Sequence, residues 1–276
     1  MLPQILVDLE NNNRTVYTAF KYMRFVQVKV QNFFKELSSY ARKLGYKDKK
    51  YLKLKDMKNK YKGKRCFVIA TGPSLTIEDL ELLKDEYTFG MNSICLAYDK
   101  TDWRPTFFGV QDKKVYEIIK EKLDEEVITF LPGSLIGKEY VGDNVVPFPC
   151  NSYYHDFELR YDICLFSRFS DDCYRIVYDG YSITHSLLQI AIYLGFDEIY
   201  LLGADCNYVA GEKHHFIEHG HSDPKYLTAG ERNIVSYETV KEFAINHGIK
   251  IYNVTRGGML DVFERKTLEE VLACHH

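Results

Sequence analysis

Polar side chains follow several short apolar runs of this sequence, and they are its first candidates for chemistry. The polar ends are Thr71 to Ser74, Asn92 and Ser93, Gln111 and Asp112, Asp205 to Tyr208, and Thr255 to Gly258. If the runs are parallel strands, their carboxyl ends meet at one edge of a sheet, where ligands bind. Any one of these residues could instead cap a helix or close a turn. Five such ends in one chain favour a binding site.

The turn after the first run, Thr71-Gly72-Pro73-Ser74, is a candidate phosphate site. It contains one glycine and matches neither the dinucleotide fingerprint GxGxxG nor the phosphate loop GxxxxGK[ST], which argues against an NAD enzyme. A helical pattern, LTIEDLELLKD, follows directly. A helix N-terminus at this place can still hold a phosphate through its free N–H groups.

Four histidines follow Asp205 in the stretch GADCNYVAGEKHHFIEHGHSD, namely His214, His215, His219 and His221. Imidazoles on a loop beside a ligand cleft are natural general bases. His215, His219 and His221 are also spaced closely enough to share a zinc ion, although neither an HExxH motif nor a cysteine pair accompanies them. The third interpretation is that these histidines are solvated and have no function.

The elements that would position these residues alternate between strand and helix. Strand-like runs occupy 65–70, 88–94, 105–112, 127–132, 144–149, 198–205 and 249–255, and helical patterns occupy 75–85, 182–195 and 236–248. This alternation predicts an α/β fold with a Rossmann-like, mostly parallel sheet and helices on both faces. The predicted nucleotide-binding catalytic domain spans 61–276. Its segment from about 150 to 180 is aromatic, polar and aperiodic, and it is interpreted as a lid.

Residues 1–60 are predicted to form a basic amphipathic helical appendage and linker. Apolar side chains recur at helical spacing over 14–45, and these are Phe20, Met23, Val26, Val30, Phe33, Phe34 and Leu37. The lysine-rich stretch 47–65 is expected to be a solvated linker. The apolar stripe is interpreted as packing against the main domain or a second subunit. The alternative is that residues 14–65 bind an anionic membrane surface.

Charge is unevenly distributed along the chain. Residues 21–65 carry sixteen Lys and Arg against three Asp and Glu, a local charge of +13, whereas residues 66–276 carry −15. A basic segment on an acidic body suits an anionic surface or intramolecular docking. Nucleic acid is not an expected partner, because the body offers no basic groove and no helix-turn-helix, RRM or KH signature.

Composition and cysteine usage indicate a cytoplasmic protein. No apolar run approaches the length of about 18 residues that a membrane span needs, and the N-terminus lacks the pattern of a secretory signal. The seven cysteines are scattered without a CxxC pair, which is typical of free thiols in a reducing compartment. If the basic helix binds lipid, the location would be peripheral, on the inner face of the membrane.

Several of these segments together resemble one known family. The segments are KRCFVIATGPSL, TFGMNSI, TDWRPTFFGVQD, YDGYSITHSLLQIAIYLGFDEIYLLGADCNY, HHF and IKIYNVTRGG. They are similar to the MptE-like proteins, named after the archaeal 6-hydroxymethylpterin diphosphokinase, whose bacterial members accompany genes for surface polysaccharide. More distantly, the same order of motifs resembles the bacterial sialyltransferases of glycosyltransferase family 42. The resemblance covers about residues 60–262 and leaves 1–60 outside.

The resemblance implies roles for individual residues. Gly72, Pro73 and Ser74 match the nucleotide-phosphate turn, Asn92 matches an asparagine that contacts the donor, and Asp205 closes the Gly-x-Asp strand. Ser182 and Thr184 match the polar helix start that faces the donor. The chain departs from the sialyltransferases in carrying Asn207 where they have a tyrosine, with Tyr208 one residue later. The base is expected to be His215, for which the adjacent His214 is an alternative. Thr71, Gln111 and Asp112 complete the predicted donor site.

The expected function is transfer of a nucleotide-activated sugar, CMP-linked as in the sialyltransferases, for a cell-surface glycan. The expected partners are that donor and a glycan or lipid-linked acceptor, and no cofactor is required. The alternative is a diphosphokinase that passes pyrophosphate from ATP to a small alcohol with Mg²⁺, for which Asp205, Asp112 and Asn207 are candidate ligands. A non-catalytic scaffold in glycan assembly is the third hypothesis. Homo-oligomerisation is left open.

Overall fold

Parallel strands form the main sheet of the protein, which a computed structural model describes over residues 13–136, 142–153, 155, 166–208, 215–217 and 228–273. The strands are β1 Arg65–Ile69, β2 Thr88–Met91, β3 Phe107–Gly109, β4 Ile128–Pro132, β5 Val145–Phe148, β6 Cys150–Asn151, β7 Val177–Tyr178, β8 Glu198–Leu202, β9 Lys250–Asn253 and β10 Glu264–Arg265. Eight of them pair in the order β10-β9-β8-β1-β2-β3-β4-β5, and each neighbouring pair is parallel. The predicted Rossmann-like fold is confirmed.

Seven α-helices accompany these strands in the described part of the chain. They are α1 Arg14–Lys43, α2 Leu52–Asp56, α3 Ile77–Leu82, α4 Lys113–Ile119, α5 Ile183–Leu194, α6 Ala229–His247 and α7 Leu268–Ala273. The stops of α5 and α6 are Gly195 and Gly248, both in the left-handed conformation (φ +102° and +69°). Glycine adopts this conformation without a steric penalty, which allows both helices to end at these residues.

The core lies on both faces of the sheet. In β1, Cys66 and Val68 face a cluster that includes Leu187 of α5, whereas Phe67 and Ile69 face a cluster that includes Leu80 of α3. Each of these side chains is fully buried. Alternation of side chains along a strand sends successive residues to opposite faces, so an unbroken apolar run such as RCFVI is buried on both sides.

The lysine-rich stretch 47–65 is part of the folded body, which contradicts the prediction of a solvated linker. Its lysines are exposed, but Leu54 is fully buried and Met57 is 6% exposed. The Tyr61 ring stacks on Phe196 with ring centroids 4.9 Å apart, and the Tyr61 N–H donates to the Leu194 carbonyl at 2.8 Å. The few apolar residues between the lysines therefore anchor this stretch to the core.

Residues 14–43 of the predicted N-terminal appendage form one continuous helix, α1, whose apolar stripe does not pack on the body. Val28, Ser39 and Arg42 are its buried residues, whereas most of the predicted stripe is exposed, with Phe33 at 62% and Phe34 at 59%. The expectation that the stripe packs against the main domain is therefore wrong. No helix in the described ranges is both long and apolar enough to cross a bilayer.

The predicted lid, about residues 150–180, contains two short strands. β6 and β7 pair in parallel, with Cys150 opposite Val177 and Asn151 opposite Tyr178. Residues 154 and 156–165 lie outside the described ranges, as do the predicted site residue His214 and the histidines His219 and His221. The pairing of β6 with β7 fixes the positions of the residues that directly follow these two strands.

Candidate active site

A cleft lies at the point where the strand order of the sheet changes direction. The chain builds β1 to β5 towards one edge and then places β8 on the other side of β1, and such switch points are the usual ligand sites of open α/β sheets. The cleft is compact, with a cavity volume of about 100 Å³. Its lining includes Thr71, Gly72, Pro73, Asn92, Ser182, Thr184, Asp205, Asn207, Tyr208, His215, Asn233 and Tyr237.

The β1 turn lies directly against the end of β8. The Gly72 N–H donates to the Gly203 carbonyl at 2.9 Å, and Ser74 Oγ donates to Asp205 Oδ2 at 2.8 Å. A Cβ atom on Gly72 would lie 2.0 Å from Asp205 Oδ2 and 2.5 Å from the Gly203 oxygen. Only glycine permits this close approach, which brings the predicted phosphate turn and the Gly-x-Asp strand end into one site.

Asp205 is a buried carboxylate at the centre of the cleft. It is 8% exposed, and burial raises its pKa, an effect that the Ser74 hydrogen bond opposes. Its backbone carbonyl accepts from the Met259 N–H at 2.7 Å. A Cβ atom on Gly258 would come within 2.7 Å of that same carbonyl oxygen. The last of the predicted strand ends, Thr255 to Gly258, therefore also lies next to Asp205.

The raised pKa of Asp205 predicts that Asp205→Asn is at least as stable as the wild type at pH 7. Burial penalises the charged carboxylate, whereas the amide is neutral and keeps an oxygen for Ser74. A pKa raised in the folded state means that the stability of the wild type falls as pH rises through that pKa. The advantage of the variant should therefore be largest at neutral pH and should shrink towards about pH 4.

Thermal unfolding of Asp205→Asn and the wild type across this pH range measures the effect. Asp112→Asn is the matched control, because Asp112 is exposed and asparagine caps a helix as well as aspartate does. A variant that is less stable than the wild type at neutral pH would contradict the burial argument.

The N-terminus of α5 and the end of β2 present polar groups to the cleft. Ser182 is the N-cap residue of α5, and its side chain makes no capping hydrogen bond. Within the described ranges, Ser182 Oγ and Asn92 Oδ1 are buried and have no hydrogen-bond partner. Asn92 has a left-handed backbone (φ +48°), a conformation in which asparagine is enriched. A helix N-terminus beside the Ser182 hydroxyl, which can donate a hydrogen bond, suits a phosphate.

Thr184 and Tyr208 also line the cleft. Thr184 Oγ1 lies 3.2 Å from the Met91 sulfur, and its side chain also hydrogen-bonds Tyr237. Burial raises the pKa of the Tyr208 phenol to about 12, so the hydroxyl stays protonated at neutral pH and can donate a hydrogen bond. Asn207 and Tyr208 both line the cleft, although they depart from the sialyltransferase pattern.

His215 is held beside the β1 turn by its neighbour. The Phe216 N–H donates to the Thr71 carbonyl at 2.7 Å, and Phe216 and Ile217 pack against the core on the α3 side of the sheet. His215 itself lines the cleft. The Phe216 N–H bond and the two apolar side chains therefore hold this segment beside the β1 turn.

Gln111 and Asp112 do not line the cleft. Asp112 is exposed and caps α4, where its Oδ1 accepts from the N–H groups of Lys114 and Val115 at 2.6 and 3.0 Å. Gln111 binds Asp179, through Nε2 to Oδ1 at 3.1 Å, and accepts from Ser186 Oγ at 2.8 Å. Both residues sit at the end of β3, one strand further from β8 than Asn92.

The buried Asp179 and the partly exposed His155 form a polar pair that the sequence analysis missed. His155 Nδ1 lies 3.0 Å from Asp179 Oδ2, and the Tyr181 N–H donates to Asp179 Oδ1 at 2.9 Å. Burial by itself would raise the pKa of Asp179, but His155 and these hydrogen bonds outweigh it and hold the pKa below its usual value. A single histidine in an aperiodic segment gives no sequence signal; only the β6–β7 pairing brings Asp179 towards it.

The structure does not gather a metal ligand set from the described residues. Nowhere in the described ranges do three His, Cys, Asp or Glu side chains come together as metal ligands would. Of the two aspartates considered for Mg²⁺, Asp205 is in the cleft and Asp112 caps α4 instead. Among the described lining residues Asp205 is the one carboxylate, so the two aspartates do not form a shared site.

A family model described as 6-hydroxymethylpterin diphosphokinase MptE-like matches residues 38–211, well over half of the chain. The chain belongs to the MptE-like family. The match begins inside α1, so the similarity extends further towards the N-terminus than the range of about 60–262 assigned from the motifs. Of the cleft, the MptE-like match includes the β1 turn, Asn92, the start of α5 and Asp205, and it ends before His215.

Solved structures of the sialyltransferase CstII from Campylobacter jejuni are similar to this MptE-like chain. The structure with cytidine-5'-monophosphate is 16% identical, covers 74% of this chain and 85% of CstII, and has a TM-score of 0.43. The structure with CMP-3FNeuAc is 15% identical, covers 73% and 85%, and has a TM-score of 0.45. No curated protein matches the chain.

Proposed function

We propose that this protein is a glycosyltransferase that takes a nucleotide-activated sugar as donor and a glycan or lipid-linked hydroxyl as acceptor. The observation that carries the proposal is the position of His215. Its neighbour's N–H is bonded to Thr71, which places an imidazole on the same cleft as Asp205 and the α5 N-terminus. A phosphate-binding helix end beside a proton acceptor is what group transfer to a hydroxyl requires.

The donor would use the two sides of the cleft differently. Its phosphate would lie at the α5 N-terminus, where the Ser182 hydroxyl, which has no partner in the described part of the chain, can donate to it. The unpartnered Asn92 Oδ1 is an acceptor and would bind an N–H or O–H group of the donor instead. Asp205 carries its negative charge beside the β1 turn and already accepts from Ser74, so it would repel a phosphate. Its carboxylate oxygens suit the hydroxyls of a ribose or sugar, which donate hydrogen bonds.

In the proposed reaction the acceptor hydroxyl oxygen forms a bond to the anomeric carbon of the sugar. The bond from that carbon to the phosphate oxygen breaks, and its electron pair stays on the departing nucleotide phosphate. His215 takes the hydroxyl proton. N–H groups of the α5 N-terminus and the protonated Tyr208 hydroxyl would stabilise the charge that develops on the phosphate. Each of these groups is a residue of the described cleft.

A diphosphokinase is the second candidate, and the family model's own description favours it. Such an enzyme would pass pyrophosphate from ATP to a small alcohol and would use Mg²⁺ to neutralise the phosphates. Asp205 is the cleft carboxylate that could contribute to holding the ion. A non-catalytic role in glycan assembly is the remaining hypothesis, and it predicts that no nucleotide binds.

A thermal-shift screen of the full chain against CMP, CDP, UDP, GDP and ATP separates these functions, with each nucleotide tested with Mg²⁺ and with EDTA. We expect stabilisation by a pyrimidine nucleotide, CMP by resemblance, that EDTA leaves unchanged. Stabilisation by ATP alone, lost in EDTA, would favour the diphosphokinase. A chain that no nucleotide stabilises would contradict both enzymes.

Within the same screen, Asn92→Ala should weaken binding of the stabilising nucleotide by about 1–2 kcal/mol, the value of a lost hydrogen bond. Asn59→Ala is the matched control, because Asn59 also has a left-handed backbone (φ 57°) but precedes β1, at the opposite end of that strand from the cleft. Unchanged affinity in a folded Asn92→Ala protein would remove Asn92 from the site.

A further inference from the structure

The outward face of α1 is an apolar surface. Its exposed residues are Val16, Tyr22, Met23, Val26, Val30, Phe33, Phe34, Leu37 and Tyr40, each 44–69% exposed. At about 100° per residue these positions fall within an arc of about 120°, and none of the charged residues of the helix falls inside it. We call this arc, over the nine residues named, the α1 apolar face.

Polar contacts on the opposite side hold α1 to the body and fix this orientation. Arg42 Nη2 and Nε donate to the Arg175 carbonyl at 2.6 and 3.0 Å. Asn151 Nδ2 donates to Asn32 Oδ1 at 3.0 Å, and the Tyr178 hydroxyl donates to Glu36 at 3.1 Å. Because these bonds bind the polar side of the helix, the α1 apolar face points away from the protein.

The segment that carries the α1 apolar face is strongly basic. Residues 14–65 hold seventeen Lys and Arg against three Asp and Glu, a charge of +14. Two of those acids are already engaged, Glu36 with Tyr178 and Asp48 with Arg42 at 3.2 Å. Exposed lysines flank the helix and follow its end, at positions 29, 43, 47, 49, 50, 53, 55, 58, 60, 62 and 64.

Charge decides which partner this face fits. A second copy of the chain would bring another segment of charge +14 against the first, and the like charges would repel. An anionic lipid surface attracts the same lysines. Its headgroup region also accepts tyrosine and phenylalanine side chains, of which the face has four. We infer that the α1 apolar face docks on an anionic membrane surface.

Docking of this kind would place α1 between the membrane and the Asp179–His155 pair. α1 is hydrogen-bonded to Asn151 of β6 and to Tyr178 of β7, and Asp179 directly follows Tyr178. An acceptor carried on a lipid would then approach from the α1 side, while the nucleotide lies at β1 and β8. This consequence rests on the proposed function, whereas the docking itself does not.

Sedimentation of the full chain with vesicles tests the inference. We expect binding to vesicles of equal parts phosphatidylglycerol and phosphatidylcholine at low salt, weak binding to pure phosphatidylcholine, and release as salt is raised. The double variant Phe33→Ser with Phe34→Ser should bind the anionic vesicles at least tenfold more weakly. Its melting temperature should not fall, because both rings are exposed in the wild type.

The matched control is Ile245→Ser with Met259→Ser, whose side chains are 68% and 60% exposed on another surface. This control should bind vesicles as the wild type does. Wild-type protein that ignores anionic vesicles at low salt would overturn the inference, and so would unchanged binding by the Phe33 and Phe34 variant. A variant that halves the mass in analytical ultracentrifugation, with no vesicle binding by either protein, would identify a second copy as the partner. Nucleotide binding, measured in parallel, reports separately on the proposed function.

Discussion

Gly72→Ala is expected to abolish nucleotide binding at the cleft. The new methyl group would overlap Asp205 Oδ2 at 2.0 Å and the Gly203 oxygen at 2.5 Å, so the β1 turn must separate from the end of β8. Separation also breaks the bond from the Gly72 N–H to Gly203. Overpacking of this kind costs about 1–3 kcal/mol of folding stability. We expect a drop in melting temperature and at least a tenfold loss of affinity for the nucleotide found by the screen.

The control for Gly72→Ala is Gly63→Ala. Gly63 has a left-handed backbone (φ +74°), and a Cβ atom added there would have no neighbour within 4 Å. It lies just before β1, at the other end of that strand from the cleft. Alanine there should cost about 1 kcal/mol through backbone strain alone while nucleotide affinity is preserved. Calorimetric titration of both variants with the nucleotide makes the comparison. Normal affinity in folded Gly72→Ala protein would place the ligand elsewhere.

His215→Ala should lower turnover by about 10²–10⁴-fold while leaving nucleotide affinity nearly unchanged. A sugar hydroxyl is a poor nucleophile at neutral pH, and a positioned proton acceptor supplies acceleration of this size. The segment should stay in place, because the bond from the Phe216 N–H to the Thr71 carbonyl does not involve the His215 side chain. The rate of the wild type should rise with pH as the base loses its proton, and the variant should lose that ascending limb.

His155→Ala provides the contrast, because His155 is oriented by the buried carboxylate of Asp179. If His215 is the base, His155→Ala should affect the Michaelis constant of the acceptor more than turnover. Transfer assays at varied acceptor concentration and pH separate the two histidines. Full turnover in His215→Ala together with the large loss in His155→Ala would assign the base to His155.

Most of the sheet and several residues of the cleft could be predicted from local sequence. Seven apolar runs predicted β1 to β5, β8 and β9, because strands buried on both faces are continuous apolar segments. The strands that were missed, β6, β7 and β10, have two residues each, too few for any periodicity. α2 was missed because apolar residues are sparse among the lysines around it, although Leu54 is fully buried.

Polar strand ends could be recognised as candidates, but their roles depended on three-dimensional neighbours. Asp205 and Asp112 both follow a predicted strand. The chain folds the first against Ser74 across 131 positions, whereas the second caps the helix that directly follows it. A local hydrogen bond and a long-range one use the same carboxylate chemistry, so residue type and spacing cannot distinguish them.

Local patterns were sufficient to predict the parallel sheet, the strand ends at Thr71 to Ser74 and at Asp205, and amphipathic helical structure over residues 14–45. These features depend on periodicity and on the conformational preferences of neighbouring residues. Which side of α1 is covered depended instead on contacts between distant parts of the chain. Arg42 donates to the Arg175 carbonyl, which lies 133 positions further along the chain. Because such long-range hydrogen bonds hold the polar side of α1 to the body, its apolar face points outward. Apolar stripes of helices usually face the core instead.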